Sequence, residues 1–522
     1  MNKKSSNWLF AFALMLPMVV FFVAYLVQHD AALVPSGFIQ YDNVSYIAYA
    51  QQYLDSEHFQ LLYNNPFNDS GNYPGIYFQF HTLFFALLLK LGVPAGAILI
   101  PFTLACSIVC FRLVIAIYDS LFPTGRGYRQ LSIWLFAWGG GLLALAGYIA
   151  KLLIPSVDSI FYFDPAAGWW GLNFGRSLFF SCEAFYHLLF LAVIYSLLKK
   201  KWGAVVLLLL ATGISHPFTG IEILTITTSW LLTETLLIKK DNVPIWATLS
   251  SIALLALHLY YYLYYLPGFA DHESVNQQYA LNWRLRYFTM IPAYLPVAIL
   301  AITSFARVGF ARFFNARENR LFFVWFLIAF LLANHELFIT PRQPLHFTRG
   351  YIWTPLFLMG LPGLHFFLDR IKKMKLGIWL MFAGLLLLFS DNIAWITAHT
   401  VSKATEPSVI YPSKEQVQLL ETMKKYSDRE TLIISRDEVT QYMCTIYTSG
   451  YPSYSHPFTT PFAERKKEAL MQFFETGIMD PSWKGRKILV VVDKNELQPA
   501  NWPATTPLME TANYRLVAIN NP

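Results

Sequence analysis

Eleven long apolar runs, separated by short loops that carry alternating charge, constrain this chain more than any other feature. They fall at about 8–28, 95–118, 131–150, 177–198, 202–214, 217–238, 244–266, 287–306, 320–337, 350–369 and 376–395. A bilayer core needs roughly 20 apolar residues per helix, and only 202–214 is short of that length. With the N-terminus cytoplasmic, the basic clusters fall on one side. These are Lys3 and Lys4, Arg126 and Arg129, Lys199 to Lys201, Lys239 and Lys240, Arg307 to Arg320, and Arg370 to Lys375. That is the positive-inside pattern. Composition agrees: 55% of the residues are hydrophobic and 14% charged, against about a quarter charged in a soluble protein. The net charge of +7 comes from these topological clusters, so nucleic acid is not among the expected partners. The stretch 8–28 reads as an uncleaved first span, because its apolar core is long and no small-residue cleavage site follows.

The opposite side holds loops 29–94, 151–176, 267–286 and 338–349, with a short turn at 214–217 and the tail 396–522. The tail alternates "TLIIS" (431–435), "KILVVV" (487–492) and "YRLVAI" (514–519) with helical stretches near 413–426 and 461–476. It reads as a small extracytoplasmic α/β domain beside a transmembrane domain of residues 1–395. Cys106, Cys110, Cys182 and Cys444 have no metal-ligand neighbourhood, and a tail with one cysteine has no internal disulfide.

After the first span comes "FIQYDNVSYIAYAQQYLDS" (38–56). Tyr46, Ile47, Tyr49, Ala50, Tyr53 and Leu54 recur at helical spacing, and tyrosine favours the interface between lipid and water. Residues 43–55 are expected to form an interfacial helix with Asp42 at its N-cap. A second interfacial or re-entrant helix follows at 75–91, entered through "NYPGIYFQFH" (72–81).

"DNVSYIAYAQQYLDS", the lead-in "NYPGIYFQFHTLFFALLLKLG" (72–92) and the tail segment "YTSGYPSYSHPFTTPFAERKKEALMQFFETG" (447–477) together resemble the GT-C superfamily of membrane glycosyltransferases. Its members include protein mannosyltransferases and lipid A aminoarabinose transferases. The resemblance implies a polytopic helical fold and a polyprenyl-phosphate-linked sugar donor. It also implies a catalytic aspartate opening the first outer loop, which here is Asp42. Many members carry a second acid in this motif, where this chain has Asn43. That departure puts a metal held by paired carboxylates in doubt. No cofactor is assigned, and a divalent cation is left open.

A departing phosphate needs cations. Loop 338–349, "FITPRQPLHFTR", carries Arg342, His346 and Arg349 on the side where topology disfavours arginine. A guanidinium binds phosphate through a forked pair of donors, and headgroup anchoring or a salt bridge to an outer carboxylate is the alternative role. The resemblance favours Arg349 as the phosphate ligand.

Asp158 and Asp164 lie in the second outer loop, and Asp164-Pro165 also suits a turn. Glu183 falls within the outer half of a span, where a carboxylate needs a cavity or a partner, and His187 shares its face. His216-Pro217 breaks the chain between two spans, as a tight turn or a polar site, with Glu222 one turn on. Asp271, His272 and Glu273 are consecutive and do not converge on one ion.

The expected function is transfer of a sugar from a polyprenyl-phosphate donor to a glycan, lipid or protein acceptor at the outer face of the cytoplasmic membrane. A catalytically silent GT-C-like assembly subunit and a transporter are the alternatives. A transporter would show paired broken helices and repeat symmetry between its halves, and the break at 213–217 has no evident counterpart. The charge pattern makes one prediction outright. A reporter that is active only in the cytoplasm, fused after Pro522, should stay dark, and a bright signal would invert the assignment of every loop.

Overall fold

A computed structural model describes residues 3–55, 60–69, 74–123, 127–164, 171–239, 242–278, 280–281, 283–496 and 498–519. Asn72, Tyr73, Arg126, Pro165 and Lys240 lie outside them. By length and apolarity, six helices among the described residues can each cross a membrane: Ala95–Leu121, Ser181–Leu198, Pro217–Ile238, Ile245–Gly268, Tyr287–Val308 and Gly377–Val401. Two bent helix pairs raise the number to eight if each is one span. The protein is therefore a multi-pass membrane protein, but these criteria do not reach the expected eleven spans. The run 8–28 bends by 44° between Ser5–Leu14 and Leu16–Val27. The run 131–150 breaks into Arg129–Trp138 and Leu143–Leu153, bent by 59°. The run 202–214 is a helix of only 12 residues, Trp202–Gly213, about 18 Å long.

Within the spanning unit, the break at Gly139-Gly140-Gly141 is built by several partners. A Cβ on Gly141 would stand 2.4 Å from the carbonyl oxygens of Pro292 and Ala293, so only glycine lets the two segments approach. The amide of Leu142 donates to the Pro292 carbonyl at 2.7 Å. That carbonyl has no helical donor, because the residue four positions on is Pro296, which lacks an N–H. The next helix begins with unpaired amides. The Asp391 carboxylate takes two of them, Gly141 at 2.9 Å and Ala144 at 2.9 Å. The Asp391 carbonyl in turn accepts from Arg176 Nη2 at 3.1 Å, and Arg176 Nη1 pairs with Asp164. Arg176 is fully buried and Asp164 almost so. Asp164 closes a turn, its amide donating to Phe161 O at 2.8 Å, and its carboxylate is the counter-ion of an internal arginine.

A second compact unit joins residues 23–101, 261–279 and 402–522. The stretches expected as interfacial form the helices Asn43–Asp55 and Phe80–Lys90, the second beginning at Phe80 rather than 75. The tail carries five strands: β1 (Leu432–Ser435), β2 (Tyr451–Pro452), β3 (Ile488–Asp493), β4 (Thr505–Glu510) and β5 (Tyr514–Ile519). Their order is β2-β1-β3-β5-β4. β1 pairs in parallel with β2 and β3, while β5 runs antiparallel to β3 and β4. The first five residues of β3, "ILVVV", are buried, as a strand covered on both faces requires. Its core includes Leu432, Ile434, Phe473, Trp483 and Val517. Main-chain bonds tie the first loop to the tail, Asp30 N to Ala404 O at 3.0 Å and Lys414 N to Ala32 O at 3.0 Å. Side chains add Asp69 paired with Lys466, and Asn65 Nδ2 donating to Thr459 O at 2.8 Å.

Removing one partner of a buried ion pair leaves the other charge stranded, at a cost of about 3–5 kcal/mol. Arg176→Met should therefore lower stability by about that much in detergent, and Asp164→Leu on the same background should recover most of it. Equilibrium unfolding would check both, and a silent Arg176→Met would remove the pair from its structural role.

Candidate functional site

In the spanning unit, loop 338–349 is pinned by its backbone. Gln343 N donates to Leu281 O at 3.0 Å, and Leu345 N to Trp283 O at 2.8 Å. Gln343 adopts φ 47°, and Pro344–Phe347 follows as a short 3₁₀ turn. This geometry turns Arg349 inward, where its Nη1 pairs with Glu183. Its Nη2 donates to His346 Nδ1 at 2.7 Å. The His187 ring bridges two carbonyl oxygens, Glu183 O at 2.8 Å and Arg349 O at 2.7 Å. His346 also stacks on Phe218 at 4.3 Å, and burial pushes its imidazole down to about 3. A neutral ring is what an acceptor of an arginine N–H must be. Arg342 is exposed, and its amide donates to His335 Nε2 at 2.9 Å.

The secondary candidates separate. Asp158 is exposed on its loop. His216 caps the helix Pro217–Leu232, accepting from Thr219 N at 3.1 Å, and stacks on Tyr186 at 4.3 Å. Glu222 is fully buried, and neither carboxyl oxygen has a hydrogen-bond partner among the described residues.

In the second unit, Asp42 stands exposed at the start of the helix Asn43–Asp55. Its carbonyl accepts from Ser45 N at 3.1 Å, and Gln40 Nε2 donates to its carboxylate at 3.4 Å. The buried Asn43 side chain accepts from Ile39 N at 3.2 Å, closing the turn that presents Asp42. The position where related motifs carry a second acid is thus used for local structure. Tyr41 stacks on Tyr442 of the tail at 4.4 Å and donates to Glu438 Oε1 at 2.7 Å. Tyr442 in turn stacks on Phe67 at 5.3 Å and its hydroxyl meets Ser45 Oγ. His456 packs 5.1 Å from the Tyr41 ring. Burial, with the Asp42 carboxylate adding to it, pushes the Tyr49 phenol up to about 12. The result is an exposed carboxylate beside an aromatic cluster in which Tyr41, Tyr49 and Phe67 are local and Tyr442 and His456 come from some 400 positions away in sequence.

Sequence reasoning missed Glu438, Tyr442 and His456. The available signal was local: Asp437 caps the helix Glu438–Tyr447 through Thr440 N, which marks a helix but not what it faces. Asp271, His272 and Glu273 bond to separate partners, Asn68, Tyr77 and Asn276. Among the described residues, no group of three or more His, Cys, Asp or Glu side chains is arranged to hold a metal.

No protein-family model and no curated protein sequence matches the chain. Solved structures do. The oligosaccharyltransferase of Archaeoglobus fulgidus, solved with a tethered acceptor peptide containing an NVT sequon, aligns with TM-score 0.53 and 10% identity. The alignment covers 94% of this chain and 69% of that one. The arabinofuranosyltransferase AftD from Mycobacteria aligns with TM-score 0.53 and 16% identity over 98% of this chain. The fold is a GT-C fold. This chain spans only 40% of the AftD chain, so the GT-C likeness concerns architecture and leaves substrate to the site.

The low value of His346 has a consequence for pH. The unfolded imidazole takes its proton near 6.5, while the folded one resists until about 3. The stability this group contributes is therefore present above pH 6.5 and lost as pH falls toward 3. Thermal midpoints of wild type and His346→Gln should converge on acidification below pH 6.5. Parallel curves would show that His346 does not titrate in that window.

Proposed function

We propose that this protein is a glycosyltransferase of the cytoplasmic membrane that moves a sugar from a polyprenyl-phosphate-linked donor to a glycan, lipid or protein acceptor on the outer face. The observation that carries the reading is the exposed Asp42 carboxylate beside its aromatic cluster, in a chain whose fold is shared with two sugar-transferring membrane enzymes. Asp42 takes the acceptor's proton, or orients the acceptor, as an oxocarbenium-like centre develops. The half-buried Tyr41 ring beside it is the part of this cluster a sugar can reach, while the buried Tyr442 and Phe67 support it from beneath. Arg349 and Arg342 hold the donor phosphate, with Glu183 and His346 fixing the Arg349 fork so that little side-chain freedom is lost on binding.

The test is transfer from a panel of polyprenyl-phosphate sugars in nanodiscs. Asparagine caps a helix about as well as aspartate, so Asp42→Asn should accumulate normally and lose transfer. Undiminished transfer would reduce Asp42 to a helix cap. Arg349→Lys keeps the partner of Glu183 and loses the fork, so it should weaken donor binding by about 1.5–3 kcal/mol, one charge-assisted contact. Arg349→Ala is a poorer probe, since it strands the Glu183 carboxylate.

A further inference from the structure

Arg112 lies mid-way along the spanning helix Leu99–Leu121 and has no part in the sites above. Its Nε and Nη1 atoms are buried, and neither has a hydrogen-bond partner among the described residues. Its guanidinium stands 5.3 Å from the centre of the Trp8 ring. A charged donor withdrawn from water without an acceptor is costly, and an ionisable side chain within a span normally faces a partner.

The nearby Arg129 shows what a satisfied arginine looks like here. It grips Asp119 with Nε and Nη2 at 2.7 and 2.9 Å, and Nη2 also donates to Asn7 at 3.0 Å. Asn7 and Trp8 are consecutive, so the start of the first helix meets both guanidinium groups, one paired with a carboxylate and one over an indole. Tryptophan favours the headgroup level of a bilayer, and a long arginine side chain reaches that level from deeper in a helix. Trp8, Leu9 and Phe12 are also exposed, by 44, 58 and 58%, and make an apolar face beside the cation. An anion that reaches Arg112 along that face must carry its charge on an apolar body.

We propose that Arg112 and Trp8 form a binding site for the phosphate of an anionic membrane phospholipid, at the membrane face where the first helix begins. Arg112 supplies charge-assisted donors, and Trp8 packs on the upper acyl chain and glycerol. Basic pockets between spanning helices bind anionic headgroups by the same means. The inference needs only a membrane-spanning chain and stands apart from the transferase reading.

The experiment uses the full chain, purified and delipidated in detergent, and reads the thermal midpoint together with native mass spectrometry. Phosphatidylglycerol, phosphatidylcholine and inorganic phosphate are titrated separately. Phosphatidylglycerol should raise the midpoint and remain bound as a discrete adduct, phosphatidylcholine should do so more weakly, and inorganic phosphate should do neither. Arg112→Met replaces the cation by an apolar side chain of similar length that suits a span. It should fold and bind phosphatidylglycerol about tenfold more weakly, the loss of one such contact. Arg112→Lys, which keeps the charge, should fall between the two. Equal responses to both lipids, a full shift with inorganic phosphate alone, or undiminished binding in Arg112→Met would each overturn the proposal.

Discussion

A backbone amide inside a bilayer has no water to bond, so every interruption of a helix there must bring its own acceptors. The interruption at 139–142 meets this demand with a carboxylate and a proline-freed carbonyl. Asp391 takes the amides of Gly141 and Ala144, and the Pro292 carbonyl, released by Pro296, takes that of Leu142. Arg176 then binds the Asp391 carbonyl and pairs with Asp164. One arginine, two acids, three glycines and a proline thereby fix a bend of 59°. The buried Arg176, Asp164 and Asp391 are explained by this single backbone requirement.

The same requirement explains how far the sequence could be read. Apolar length marked where membrane helices lie, because hydropathy responds to burial in lipid. It could not report that 8–28 and 131–150 bend, since a bend depends on acceptors from remote segments. In the tail, β1, β3 and β5 were legible as dense runs of branched apolar residues. β2 is only two residues long, and β4 carries Pro507 beside a register shift, so neither gives a strand pattern. Asp42 was recognisable from the amphipathic stretch that follows it. Its surroundings were not, because Glu438, Tyr442 and His456 meet Tyr41 only through tertiary packing.

The Glu183–Arg349 pair reconciles two readings of loop 338–349. An arginine in this position could hold a headgroup loosely or serve a defined anion. Held by Glu183 and His346, it has a fixed direction, which loose anchoring does not need. Its charge is also largely compensated, so any anion offered to it must compete with a carboxylate already in place. Such a site discriminates by geometry more than by charge, and would bind a stray anion poorly.

The split composition of the second unit also sets a timetable. Ser45 is among the first residues made, and its partner Tyr442 follows 397 residues later. At a synthesis rate of 5–20 residues per second, the segment around Asp42 waits roughly 20–80 seconds for the helix that completes it. During that interval its tyrosine-rich face meets only neighbours made early, Tyr46 packing on His81 and Tyr49 on Tyr63. The Asp42 carboxylate thus acquires part of its surroundings last, after the spanning helices have been translated, so a chain truncated before the tail would carry the acid while its neighbour Tyr41 lacked Tyr442 and Glu438.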